Sequence, residues 1–285
     1  MLPLLLAPLL ALSGPWSAPA QPQAGAGRAA LAIVLDPRGR PIVDLGLDDF
    51  VIQEGDTPRE VFDVRMADYP VAVLVDTSRD AGGDLPDIRR AVSRFVGRLG
   101  RRPIALGTLG DPPVMLTAFG DERQRLLAAI DALSAGSSSS TLVLEGAALA
   151  AARLRETRAP FSAIVLLSAA PDAASRTAPD EAVAALVGSR TIVHAIVRGA
   201  AAGPLADPGP RRLAEILRSV SRQTHGEYAA IYSSVSYQAA LDRLADRLAS
   251  EMMIEYIVPP GSSAADVRIG VRVPGARVRG LGVTP

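Results

Sequence analysis

The feature that most constrains the fold is an alternation, from residue 71 to residue 250, of short apolar runs with stretches of helical apolar spacing. Val71–Val75 is apolar throughout, which is typical of a strand buried on both faces of a parallel sheet. Residues 85–99 repeat apolar side chains at spacings of three and four, which predicts a helix ending at Gly100. Strands that alternate with helices imply right-handed crossovers. The sequence therefore predicts an α/β fold with a doubly wound, mostly parallel sheet flanked by helices.

The same pattern predicts the other elements of this region. Further strands are expected at residues 104–106, 114–119, 163–167 and 192–197, and further helices at residues 122–133, 142–155, 181–187, 211–223 and 237–250.

Both ends of the chain have a different pattern, typical of small antiparallel β structure. Residues 30–35, 50–54 and 60–64 predict short strands separated by turns, and residues 253–258 and 267–273 predict two closing strands. Residues 267–273 alternate apolar and polar side chains, as a strand with one wet face does. Because the ends of a domain tend to meet in space, we expect the closing strands beside the N-terminal β unit.

The predicted organisation is a signal peptide at 1–20, a linker at 21–28, an N-terminal β unit at 29–68, an α/β domain at 69–250 and C-terminal strands at 251–285. Residues 2–13 are an apolar run shorter than the roughly 20 residues that span a bilayer, and Ala18-Pro19-Ala20 has the small-residue pattern of a cleavage site. An exported protein, periplasmic or extracellular, is expected. The run has no preceding Arg or Lys, so a buried or interfacial helix is the alternative. No later segment is a candidate membrane span.

Charge and composition exclude several classes of function. Thirty basic and thirty acidic residues give a formal net charge of zero, so no long-range field attracts nucleic acid or an anionic membrane surface. Cysteine is absent, which excludes disulfides, thiolate nucleophiles and thiolate metal sites, so a bound metal would have oxygen ligands. No lysine occurs either, since all the basic residues are arginine.

Three polar segments lie where a ligand site is expected. In an open parallel sheet the site lies at the carboxyl ends of the strands. Asp76-Thr77-Ser78-Arg79-Asp80 follows the first buried run, residues 137–141 precede the helix predicted at 142–155, and residues 168–172 follow the run at 163–167.

These segments resemble the metal-ion-dependent adhesion site (MIDAS) of von Willebrand factor type A domains. The family has an Asp-x-Ser-x-Ser loop after the first strand, a Thr before a later helix and an Asp after a following strand. Asp76, Ser78 and Thr141 match three of these positions. The segments 49–55, 255–259 and 271–280 also resemble the lead-in and the closing strands of a bacterial family of such domains best known from Acidobacteria. The resemblance covers residues 31–282.

The resemblance implies a protein-binding module, not an enzyme. In such a site hydroxyl and carboxylate oxygens hold Mg²⁺ or Mn²⁺ and leave one position for an acidic side chain of a protein partner. The sequence departs from the pattern at Asp80, which replaces the last Ser of the loop, and at Ala169, which replaces the third-loop Asp. Either Asp80 supplies the missing carboxylate, giving the ligand set Asp76, Ser78, Asp80 and Thr141, or the site has decayed and the cation is bound weakly or is absent.

On the second interpretation Asp80 is a helix cap or an exposed loop acid, and Thr141 caps its helix. Asp172 is a weaker substitute for the missing acid, because Pro171 indicates a turn there. Residues 137–140 are interpreted as a flexible loop.

Four rival functions are considered. Asp76 could accept a phosphoryl group in a hydrolase, but the position two residues on is Ser78 and no lysine is available. Nucleotide binding and acyl transfer lack their Gly-x-Gly-x-x-Gly and Gly-x-Ser-x-Gly motifs. His194 is interpreted as a packed strand residue and His225 as a helix-end residue, so no catalytic residue is assigned. A periplasmic scaffold domain with no metal is the remaining alternative.

Overall fold

The protein is described by a computed structural model over residues 26–169, 177–199, 208–261 and 266–284. The predicted signal peptide, the first part of the predicted linker and Asp172 lie outside the described residues. No helix within these ranges is long and apolar enough to cross a membrane.

The elements, in chain order, are thirteen strands and six α-helices within the described ranges. The strands are β1 (Ala26–Leu35), β2 (Phe50–Glu54), β3 (Thr57–Arg59), β4 (Val61–Met66), β5 (Val71–Val75), β6 (Ile104–Thr108), β7 (Val114–Met115), β8 (Ser162–Ser168), β9 (Thr191–Arg198), β10 (Tyr228–Ile231), β11 (Glu251–Val258), β12 (Val267–Val271) and β13 (Arg277–Val283). The helices are α1 (Leu85–Arg98), α2 (Arg123–Asp131), α3 (Val143–Glu156), α4 (Pro179–Gly188), α5 (Pro208–Gln223) and α6 (Ser236–Leu248).

The central layer is a six-stranded sheet in the order β10-β9-β8-β5-β6-β7. Its strands are parallel except for β7, which runs antiparallel to β6. Chain order reverses between β5 and β8, so β5 stands at the switch point where open α/β sheets bind ligands. The predicted doubly wound, mostly parallel sheet is confirmed.

The side chains of β5 divide the core into two layers. Val71, Val73 and Val75 pack with residues of α1, α2 and α6 on one face. Ala72 and Leu74 pack with residues of α3, α4 and α5 on the other face. Burying such side chains contributes about 1.5–3 kcal/mol each for the larger ones, and it holds the end of β5 in place between two helical layers.

A second sheet joins the two ends of the described chain. It has the order β13-β1-β11-β4 and is antiparallel throughout. A third sheet has the order β12-β2-β3, and its residues pack with the second sheet in a separate apolar cluster. The expectation that the closing strands lie beside the N-terminal β unit is confirmed.

Some boundaries differ from those expected. Strand β1 begins at Ala26, inside the segment predicted as a linker, because residues 26–28 pair with β11. Arg28 is buried there and forms an ion pair with Glu54. The strand expected at 114–119 ends at Met115, since the amides of Leu116 and Thr117 both donate to a single carbonyl and the chain bends there.

Three strands, β3, β10 and β13, were not predicted from the sequence pattern. Strand β10 contains two alanines and has little β signal of its own. Strand β3 contains Pro58, which indicates a turn, but β3 lies at a sheet edge where proline is tolerated.

Candidate functional site

Asp76 is the first residue after β5 and is completely buried at the carboxyl edge of the sheet. One carboxylate oxygen, Oδ1, accepts hydrogen bonds from the Ser78 amide at 2.9 Å and from the Thr141 hydroxyl at 3.0 Å. The other, Oδ2, accepts from the Ala169 amide at 3.0 Å. Asp76 therefore binds together the three loops that the sequence singles out, and its carboxylate has one fixed orientation.

Ser78 lies beside this carboxylate with a buried hydroxyl that is unsatisfied. The residue is 1% exposed, and Oγ has no hydrogen-bond partner among the described residues. Ser78 precedes the short 3₁₀ turn Arg79–Ala81, but its side chain makes no capping bond to that turn. A buried hydroxyl without a partner is costly, so the Ser78 hydroxyl is available to a ligand at this edge of the sheet.

Thr141 does not serve as the cap of its helix. Helix α3 begins at Val143 with Leu142 in the cap position, and no side chain caps it. The Thr141 hydroxyl is buried and donates to Asp76 instead. The structure thus brings Asp76, Ser78 and Thr141 together as the resemblance implies.

Backbone hydrogen bonds fix the loop that contains Ser78. The Arg79 amide donates to the Ser138 carbonyl at 2.8 Å, and the Gly136 amide donates to the Thr77 carbonyl at 2.7 Å. The serine-rich segment interpreted as a flexible loop is therefore a hydrogen-bonded partner of the first loop, and it helps to position the Ser78 side chain.

Asp80 lies apart from these three residues. Its side chain is 58% exposed and its carboxylate is 3.8 Å from the Arg79 guanidinium. The proposed substitution of Asp80 for the acid lost at Ala169 is not seen in this arrangement, because the short turn Arg79–Ala81 directs Asp80 towards solvent. The geometry agrees with the alternative interpretation, in which Asp80 is an exposed loop acid.

A second buried acid near Asp76 was missed by the sequence reasoning. Asp84 precedes α1 and makes no capping bond; instead its carboxylate pairs with the Arg198 guanidinium at 2.6 Å. Arg198 is the last residue of β9, and its Nε also donates to the Ala169 carbonyl at 3.3 Å. The only sequence signal for Asp84 was an acid at a helix start, which ordinarily indicates a cap.

The charges of the site influence one another. Burial raises the pKa of Asp84, and the nearby carboxylates of Asp87 and Asp76 raise it further, whereas the Arg198 guanidinium lowers it. Tyr237 donates its hydroxyl to the Ser168 carbonyl at 3.0 Å, and its pKa is raised by burial and then by the charges of Asp84 and Asp76. The site is therefore a buried region of negative potential, partly offset by one guanidinium.

The two histidines lie outside this set. His194 is buried in β9, where Nδ1 accepts a hydrogen bond from the Glu227 amide at 3.2 Å. Burial lowers its pKa well below the usual value, and the Arg247 and Arg102 charges add to this. His225 is exposed at the end of α5 with a positive φ of 60°. Both positions agree with the structural roles predicted for them.

The residues of the site suit a cation with mixed oxygen ligands. Over the described ranges, no group of three or more His, Asp or Glu side chains is placed to hold a metal ion. A cation here would depend on hydroxyl oxygens, as in a MIDAS. The unsatisfied Ser78 hydroxyl, the Thr141 hydroxyl and the Asp76 carboxylate fit that requirement, with fewer acids than the resemblance implies.

The chain is similar to known proteins in its fold and not in its sequence. No protein-family model matches the sequence, and no curated protein matches it. Among solved structures, a von Willebrand factor type A protein from Catenulispora acidiphila aligns with a TM-score of 0.54 and 12% identity, covering 92% of this chain and 74% of that one.

Two further structures align over part of their length. Proximal thread matrix protein 1 from the mussel byssus, with a zinc-occupied MIDAS motif, has a TM-score of 0.51 and 13% identity over 67% of this chain. The pilus adhesin SpaC from Lactobacillus rhamnosus GG, in its open conformation, has a TM-score of 0.51 and 10% identity over 85% of this chain. The chain spans about half of each, 48% in both cases. The alignments and the parallel sheet with its site at β5 together identify the fold as that of a von Willebrand factor type A domain.

Proposed function

We propose that this protein is an exported protein-binding module whose site at the end of β5 binds a divalent cation weakly and, through it, an acidic side chain of a partner. The observation that carries the proposal is at Ser78, whose buried hydroxyl has no hydrogen-bond partner among the described residues and whose amide donates to the Asp76 carboxylate. Mg²⁺ and Mn²⁺ prefer such oxygen donors.

Asp76, Ser78 and Thr141 would hold the cation, and the bound cation would attract a carboxylate. Hydrogen bonds from the Ser78 amide, the Thr141 hydroxyl and the Ala169 amide orient Asp76, so little side-chain freedom is lost when its oxygens meet an ion. The structures that align with this one include a mussel protein with zinc in its MIDAS motif and a pilus adhesin. These support a role in protein binding for this chain by analogy of fold.

We propose that the cation binds weakly because the buried negative charge of the site is small. Among the described residues the buried carboxylates of the site are those of Asp76 and Asp84, and the Arg198 guanidinium pairs with Asp84, whereas the nearby Asp87 pairs with Arg90. One of the two buried carboxylates is thus offset by a guanidinium, so these residues offer a divalent ion less negative charge than two free carboxylates would. Affinity of oxygen sites for such ions rises with the number of charged ligands.

Titration with Mn²⁺, followed by calorimetry, tests the cation site. We expect one site in the purified protein and an affinity at least about tenfold lower in Asp76→Asn, because a charged ligand is lost. Asp80→Asn is the matched control, since it makes the same change four residues away on an exposed side chain. Equal affinities in the protein and in Asp76→Asn would refute the cation site. Equal losses in the two variants would restore the ligand set that includes Asp80.

The partner chemistry is tested by selecting displayed peptides on the immobilised protein. Peptides selected with Mn²⁺ should be enriched in Asp or Glu, and their binding should be lost with a chelator and in Asp76→Asn. Selection of peptides without acidic residues, bound equally well with a chelator, would favour the second candidate. That candidate is a scaffold domain without a metal, and the Arg198–Asp84 pair favours it because a guanidinium already supplies positive charge.

Export and the lack of enzymatic activity are further parts of the proposal. The apolar run at 2–13 and the Ala18-Pro19-Ala20 pattern support cleavage after Ala20. Mass spectrometry of the protein recovered from a bacterial periplasm should find Gln21 at the new N-terminus, and the intact leader would contradict export. Hydrolysis of a chromogenic phosphate ester, abolished by Asp76→Asn, would show that the protein is an enzyme.

A further inference from the structure

A cavity of about 590 Å³ lies at the opposite end of the central sheet from Asp76. It is bordered by the start of β1, by the segment between α3 and β8 and by the turn between α4 and β9. The apolar part of its wall includes Leu154 and Phe161. This volume is in the range of small-molecule sites, about 300–1,000 Å³.

Three exposed arginines that line this cavity have no partner in the described part of the chain. The guanidiniums of Arg155, Arg158 and Arg190 make no hydrogen bond or ion pair among the described residues. Elsewhere in the described chain many arginines are paired with Asp or Glu, as Arg94 and Arg98 are with Asp242. Three unpaired guanidiniums around one cavity therefore form a local excess of positive charge.

The acids nearest this cavity are already engaged. Glu255 borders it but pairs with Arg65 at 2.6 Å. A fourth arginine, Arg28, also borders it and forms its own buried ion pair with Glu54. The excess charge of the three arginines is therefore not offset by the described part of the chain.

Two of these arginines occupy backbone positions that favour glycine. Arg158 and Arg190 each follow the last cap residue of a helix, with φ values of 54° and 57°. At the equivalent place after α1 the chain has Gly100, with a φ of 61°. Side chains are disfavoured in this conformation, and glycine is the usual residue at such helix ends. Arginine at both positions, on one cavity, points to a use for the guanidiniums.

We propose that this cavity is a binding site for a phosphate group, carried either by a soluble small molecule or by a lipid headgroup. Guanidinium forks match phosphate oxygens in geometry and charge. A phosphate monoester carries about two negative charges at neutral pH, which offsets more of the excess than a single carboxylate does. The apolar wall at Leu154 and Phe161 would contact the rest of the ligand.

Calorimetry with pyrophosphate and, for comparison, acetate tests the site in the purified protein. We expect pyrophosphate to bind at one site and acetate at least about tenfold more weakly, because its charge is smaller. The double variant Arg158→Gly, Arg190→Gly should bind pyrophosphate at least about tenfold more weakly than the protein does. Its melting temperature should be equal or higher, since glycine suits both backbone positions.

Two arginine substitutions in helices distinguish pyrophosphate binding at the cavity from a general effect of the protein's charge. Arg155→Gln removes a guanidinium from the cavity wall, whereas Arg243→Gln removes an exposed one from α6, away from the cavity. Weaker pyrophosphate binding in Arg155→Gln alone supports the proposal. Equal binding in the two variants, or no binding of pyrophosphate to the protein, overturns it.

Vesicles distinguish the two sources of phosphate. The protein is sedimented with phosphatidylcholine vesicles that contain or lack phosphatidic acid. Sedimentation that needs phosphatidic acid and is lost in the double variant assigns the site to a headgroup. Pyrophosphate binding without such sedimentation assigns it to a soluble ligand. Sedimentation that is equal in the double variant, together with unchanged pyrophosphate binding, overturns the proposal for both sources.

Discussion

Replacing Ser78 by alanine separates a cation ligand from an ordinary buried serine. The Ser78 hydroxyl is buried and has no hydrogen-bond partner among the described residues, so its removal should stabilise the protein when no cation is present. A buried hydroxyl without a partner costs about 1–3 kcal/mol in proteins. With a gain of about 1 kcal/mol, the melting temperature of Ser78→Ala in a chelator should be about 2 °C higher than that of the protein.

Binding of the cation should cancel or reverse the higher stability of Ser78→Ala. A ligand present at about 100 times its Kd stabilises the folded protein by about 2.7 kcal/mol. If the loss of one oxygen ligand weakens binding about tenfold, the same concentration is only about 10 times the Kd of the variant, and the gain falls to about 1.4 kcal/mol. The shift in melting temperature caused by Mn²⁺ should therefore be about half as large in Ser78→Ala as in the unaltered protein.

Scanning calorimetry of both proteins, with a chelator and with Mn²⁺, provides the measurement. Ser221→Ala is the control, because the Ser221 hydroxyl is also buried and without a partner but lies on α5, away from Asp76. This control should gain as much from Mn²⁺ as the unaltered protein gains. The reasoning is refuted if Ser78→Ala and the unaltered protein show equal shifts with Mn²⁺.

Two further predictions concern stability. The pKa of His194 in the folded protein lies below its usual value, so as the pH falls the unfolded chain takes up a proton before the folded protein does. The free energy of unfolding is therefore unaffected by His194 above about pH 6.5 and decreases as the pH falls below that value. The decrease approaches about 1.4 kcal/mol per pH unit at most. Urea midpoints at pH 7.5 and 5.5 should differ less in His194→Gln than in the protein, and an equal difference in both would contradict this prediction. Gly226→Ala should destabilise the fold by at least about 3 kcal/mol, because the added methyl would overlap the Val193 carbonyl oxygen. A urea midpoint within error of that of the unaltered protein would contradict the overlap.

The sequence predicted the central sheet and the positions of Asp76 and Ser78 because both depend on local signals. An apolar run of five residues identifies a central strand, and in a parallel sheet the residue that follows it must lie at the carboxyl edge. Asp76 and Ser78 could therefore be placed before the structure was known. Thr141 could be placed by resemblance alone, since its contact with Asp76 joins distant parts of the chain.

Other features could not be predicted because they depend on packing between distant segments. The pairing of Asp84 with Arg198 requires the end of β9 to lie beside the start of α1, which no periodicity reveals. Strand β10 is a strand because β9 offers it a parallel edge, although its own residues favour no strand. The exposure of Asp80 does not depend on distant segments. It follows from a single short turn that the sequence pattern does not specify.

The Arg198–Asp84 pair determines how a cation and a partner would depend on each other. Because the Arg198 guanidinium offsets part of the negative charge of the buried carboxylates, a bound divalent ion would leave an excess of positive charge at the site. A carboxylate from a partner would neutralise that excess in a buried place, where charges interact more strongly than in water. Each ligand would therefore raise the affinity for the other by the same factor, because such coupling is reciprocal. Under the proposed function, a cation that binds weakly alone and more tightly with an acidic partner makes occupancy of the site depend on that partner.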